Sequence, residues 1–97
     1  MMSSDGMTEA QKMAQTLGVV VGAASCCEQV TQDRLASVAL KLRQLVSANA
    51  DDVADAETAN EQFSAAVEVG KTAVESGRID PEHAEAALTE LEQQLSV

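Results

Sequence analysis

The chain has 97 residues, with sixteen Asp and Glu against six Lys and Arg, for a formal net charge of −10. That length bounds it to one domain near the lower end of what folds alone. The negative surplus repels phosphate backbones and anionic membrane surfaces over a Debye length of about 8 Å, which excludes nucleic-acid binding by phosphate neutralisation.

The acidity is unevenly placed. Residues 1–48 carry four acids and four bases, which cancel, whereas residues 49–97 carry twelve acids against Lys71 and Arg78. Trp and Tyr are absent and there is one Phe, so the core must be assembled from small side chains. A thin core makes burial against a second copy an effective way to add area, and a homodimer is the expected state.

Taken in chain order, residues 1–7 show no periodicity and are expected to be a disordered tail preceding a single helical domain over residues 8–97. Thr8 and Gln11 have the spacing of a capping box, and Glu9 suits the helix dipole. The first helix carries Met13, Leu17, Val20, Val21, Ala24 and Cys27 at spacings of three and four. Its centre is apolar all round, which predicts the most buried helix. Gly18-x-x-x-Gly22 within it lets a neighbouring backbone come close. Val19-Val20-Val21 has the composition of a strand, but no other segment would pair with it. Ser25 and Glu28 suggest a second cap, so residues 8–48 form either one helix or two divided by a bend near 25–30.

Leu35, Val38, Leu42 and Leu45 then define an amphipathic helix, with Leu40 nearly opposite the stripe and Asn49 as its stop. After the turn at residues 48–52, a third helix is predicted with an apolar face of Val53, Ala56, Phe63, Ala66, Val67, Ala73 and Val74. Asn60 interrupts that face, Gly70 weakens it, and Gly77 ends it. In Ile79-Asp80-Pro81-Glu82, Asp80 is the N-cap, Pro81 the first helical residue, and Ile79 a staple onto Ala84. Ala84, Ala87, Leu88, Leu91 and Leu95 line one face of the last helix. The expected fold is all-α, a small antiparallel bundle of three to four helices.

Candidate chemistry is sparse. Cys26 and Cys27 are the only nucleophiles with redox potential. As neighbours on a helix they diverge by about 100° and do not readily pair with each other. His83 is the only other soft ligand, so no metal site or cofactor is expected within one chain. Asp51, Asp52 and Asp55 lack the turn glycine and distal Glu of a calcium loop and read as helix-start acids. No nucleophile–base–acid set can be assembled around one histidine, so no enzyme activity is expected. Glu61, Glu68 and Glu75 recur every seven residues and line one edge of the third helix, a candidate surface for a basic partner. Asn60, on the apolar side, is a candidate for fixing register or oligomeric state.

The apolar segment from Leu17 to Cys27 is too short to span a bilayer, which needs about 20 residues. Val-Gly-Ala-Ala-Ser before Cys26 has the small-residue look of a lipoprotein cleavage site, but the segment ahead of it is acidic where a leader needs positive charge. The sequence therefore points to a cytoplasmic, non-enzymatic protein–protein interaction module. A thiol-based redox or metal-responsive regulator using Cys26 and Cys27 is the alternative, and an exported lipoprotein the weaker one.

Overall fold

In a computed structural model, which describes residues 8–95, the chain forms four helices: α1 (Glu9–Ala24), α2 (Gln32–Ala48), α3 (Val53–Glu75) and α4 (Pro81–Leu95). The described residues contain no strand, and the all-α expectation is met. The expected disordered tail, residues 1–7, lies outside the described residues.

Each helix end has an identifiable local cause. Thr8 caps α1 by accepting from the Gln11 backbone N–H at 3.3 Å, as the spacing indicates. Gln11 does not complete the box; its side-chain amide is drawn to Asp55 instead. Asp52 caps α3 by accepting from the Asp55 N–H at 2.8 Å, and Asp80 accepts from the Glu82 N–H at 2.9 Å ahead of Pro81. At the end of α3, Gly77 takes φ +80°, and the Gly77 and Arg78 N–H groups bond the Val74 and Ala73 carbonyls. That pair of bonds is the Schellman arrangement, which needs a left-handed residue at this position. Asn49 closes α2.

Residues 8–48 are thus two helices. The cap of the second is Thr31, whose hydroxyl accepts from the Arg34 N–H at 3.1 Å. Ser25 does not start a helix. Its hydroxyl donates back to the Gly22 carbonyl at 2.6 Å, which makes it part of the end of α1.

The tertiary structure is organised on α1 and α3, which share the most extensive contact in the fold. Thr8 and Gln11 meet Asp55, Gly18 meets Phe63 and Ala66, and Gly22 meets Val67, so the two helices run parallel. Successive helices alternate in direction, with α2 packed on α1 and α3 and α4 packed on α1. The glycines let the α1 and α3 backbones approach each other. A Cβ built at Gly18 would lie 2.6 Å from both the Phe63 carbonyl oxygen and the Ala66 Cβ. One at Gly22 would overlap the Val67 carbonyl, and one at Gly70 the Val19 carbonyl.

Small side chains dominate what is buried. Ala10, Ala14, Ala23, Ala24, Ala59 and Ala66 are all in the core, and its largest fully buried members are Phe63, Leu42, Leu88 and Val46. The buried face of α3 runs Asp55, Ala59, Phe63, Ala66, Gly70, which corrects the stripe expected from Val53 and Ala56. Val53 is 75 % exposed. The helix is rotated so that its smallest residues meet α1, because close backbone approach buries more surface here than seating a single valine. Leu40, opposite the α2 stripe, faces solvent.

Gly22→Ala is expected to destabilise the fold by about 2–3 kcal/mol despite the better helix propensity of Ala, because the overlap is with backbone and cannot relax by a rotamer change. Gly77→Ala has open space around its Cβ and is expected to cost only the left-handed conformation, about 1 kcal/mol. Urea denaturation of both variants measures the difference directly.

Candidate functional site

The twelve acids of the second half divide into two groups. Five do structural work. Asp52 and Asp80 are caps. Asp55 is buried where α3 begins, and its carboxylate accepts from the Thr8 hydroxyl at 2.8 Å, the Gln11 side-chain amide at 3.0 Å and the Asp51 N–H at 2.9 Å. The Asp51 N–H, and after it the Thr8 hydroxyl, hold its carboxyl below the usual carboxylate range, against the opposing effect of burial. The group that reads in sequence as a helix-start acid therefore ties the start of α1 to the start of α3.

Glu85 and Glu92 are the other two. Arg34, on α2, places its Nε 3.0 Å from both carboxylate oxygens of Glu92 and its Nη2 2.6 Å from Oε1. Its Nη1 donates to Glu85 at 3.1 Å and its Nη2 to the Thr89 hydroxyl at 2.9 Å. The guanidinium bond to Glu92 lowers that carboxyl's pKa, and Glu92 with Glu85 raises that of Arg34. This fork joins α2 to α4, which otherwise touch little.

The other seven remain at the surface, Asp51, Glu82 and Glu90 apart from the rest. Glu61, Glu68 and Glu75 are all exposed on α3, and Glu57 extends the same edge by one turn. Only Glu68 of the four has an ion pair, a 3.5 Å contact with Lys71. From Glu57 to Glu75 the edge spans about 27 Å at 1.5 Å rise per residue.

The cysteines separate. Cys26 is exposed just beyond α1, its Sγ 3.8 Å from the Gly22 carbonyl, whereas Cys27 is only 8 % exposed. No cluster of three His, Cys, Asp or Glu side chains capable of holding a metal occurs among the described residues. His83 is exposed in the first turn of α4. Asn60 is half-buried between α3 and α2. Its amide donates to the Ala56 carbonyl at 2.9 Å and the Ser47 hydroxyl at 3.2 Å, and its side-chain oxygen is buried without a partner.

One further feature had no signal in the sequence. An open groove of about 580 Å³ lies between α2 and α3 beside the end of α1. Its apolar part comes from Val21, Val30, Leu35, Ala39, Phe63 and Val67. Ser25, Cys26 and Gln32 border it, along with Arg43 and Lys71, and no acid among the described residues lines it. The Arg43 guanidinium lies 5.4 Å from the centre of the Phe63 ring and donates to the Ser64 hydroxyl at 3.2 Å. Its lining comes from three helices and the turn after α1, so no periodicity within one segment reveals it.

Three outcomes follow from this geometry. Asp55 has a lower pKa in the folded protein than its unfolded value of about 3.9. Its contribution to stability is therefore complete above that value and lost as pH falls through the folded pKa. Asp55→Asn should flatten the stability-versus-pH curve on its acid side, as measured by urea unfolding between about pH 5 and pH 2. Arg34→Gln should cost about 1–2 kcal/mol in the same assay at neutral pH, with high salt reducing the difference. In the native state one thiol, Cys26, should react with a thiol reagent, and Cys27 only after unfolding; mass mapping of the labelled residue checks this. Compared with known proteins, the chain matches no family model, no curated protein and no solved structure.

Proposed function

We propose that this chain is a non-enzymatic helical interaction module that engages a basic protein partner along the exposed acidic edge of α3. The observation that carries the reading is the division of the acids. Asp52, Asp55, Asp80, Glu85 and Glu92 are occupied with caps and cross-ties, while Glu57, Glu61, Glu68 and Glu75 stand exposed in one line on the longest helix. A line of like charge, offset only by the Lys71 contact to Glu68, raises the association rate of a basic surface and discourages anionic ones, so neither nucleic acid nor membrane is a partner in this reading. No described helix is long and apolar enough to cross a membrane. Free cysteines suit a reducing compartment such as the cytoplasm.

A homodimer belongs to the same reading. Leu40, Leu45, Val53 and Val69 are large apolar residues left exposed on a thin-cored protein, which supports burial against a second copy, and the Asn60 bond to Ser47 supports a part for Asn60 in fixing the register of α2 on α3. The thiol-regulator alternative now rests on Cys26 alone, since burial removes Cys27 from reach.

Two measurements test the proposal. Sedimentation equilibrium at micromolar concentration should show a dimer; a monomer across that range removes the oligomeric part. Affinity capture with the native chain should recover basic proteins that are lost when Glu57, Glu61, Glu68 and Glu75 are all changed to Gln. Recovery of the same proteins by both forms would sink the acidic-edge reading.

A further inference from the structure

A second binding activity is written into the groove between α2 and α3, on a different physical basis from the acidic edge. In a chain of sixteen acids and six bases, this groove is lined, among the described residues, by two bases and no acid. Arg43 makes no ion pair among the described residues, although carboxylates outnumber guanidinium and ammonium groups nearly threefold in the sequence. The single Ser64 bond uses one of its five N–H donors, and the Phe63 ring beneath it holds the planar group in place. A guanidinium so held, with donors to spare, suits bidentate capture of a carboxylate.

On its groove side Arg43 meets an apolar wall of short side chains, whereas a second pocket that it also lines holds Glu57, Asn60, Glu61 and Ser64, so the groove side is the one open to an anion. Phe63 is buried beneath the guanidinium, which leaves Ala36, Ala39, Val67 and Leu35 as the wall of a slot. From Arg43 to Gln32 this slot follows α2 for about 16 Å. A volume of about 580 Å³, mostly apolar with a few polar groups at its margin, falls in the range of small-molecule sites. We infer that the groove binds a medium-chain fatty acid, an apolar chain along α2 with its carboxylate on Arg43. Lys71, at the other end, adds positive potential; Glu68 offsets part of this from outside the lining at 3.5 Å. Burial of each methylene contributes to affinity and Arg43 supplies the preference for the anion. The inference does not depend on the acidic edge binding a protein.

The test is a titration of the full chain with octanoate and, separately, with 1-octanol, followed by amide-resolved NMR. Octanoate should shift amides of residues 32–43 and 63–71 in a saturable way, with 1-octanol binding about tenfold more weakly, a difference of about 1.4 kcal/mol. Arg43→Gln should bring octanoate down to the level of 1-octanol, while Lys12→Gln, outside the lining, should leave it unchanged. Ala36→Trp, at an exposed lining position of α2, should fill the slot and abolish binding of both. Equal affinity for octanoate and 1-octanol overturns the inference, as do shifts lying outside the groove. If Arg43→Gln does not fold, the comparison of the two probes on the native chain and the Ala36→Trp variant decide the matter.

Discussion

Everything in this fold depends on how closely α1 and α3 can approach. Gly18 and Gly22 on one helix and Gly70 on the other remove the side chains that would hold the two backbones apart. A protein with a single aromatic residue and many alanines cannot fill a wide inter-helix space. Its route to a dense interior is to bring the helices together until backbone packs on backbone. The helix-weakening effect of each glycine, about 1 kcal/mol relative to Ala, is offset by the surface this approach buries.

That central pair leaves α2 and α4 as outer helices with little direct contact between them, and polar groups secure the structure at its margins. Asp55 ties the beginnings of α1 and α3, and Arg34 clasps α4 through Glu85, Thr89 and Glu92. These ties draw on the acid excess of the second half, so the net charge of −10 overstates what the surface offers a partner. The longest line of exposed acids runs along α3, and the α2–α3 groove beside it is bordered by Arg43 and Lys71.

Much of this is legible in the sequence. The caps at Thr8 and Asp80, the stops at Asn49 and Gly77, and the Gly18–Gly22 spacing depend on neighbours within about four residues, and they take the form their spacing implies, except that Gln11 leaves the Thr8 box half-formed by turning to Asp55. Less legible was the orientation of α3. Periodicity marks an apolar stripe by counting large residues, and it passes over Asp55 and Ala59, which are buried, in favour of Val53, which is not. Ser25 was similarly ambiguous, because a serine after an apolar helix can start the next one or bond back to the last; its hydroxyl does the second. The candidate residues divide the same way. Glu61, Glu68 and Glu75 are exposed as their spacing indicated, whereas the unlike fates of Cys26 and Cys27 required knowing where the α1–α2 turn lies.

The sequence by itself determined that the chain is helical, where most of its helices stop and start, and which half carries the charge, because these are set by local hydrogen bonding, backbone preference and composition. Only the tertiary structure decided which acids remain free to meet a partner, that Arg34 spends its charge inside the fold, and that Arg43 and Lys71 border one groove. Those facts join residues up to 58 positions apart in the chain, as Arg34 and Glu92 are, and no local preference encodes which side chain will be waiting across such a distance.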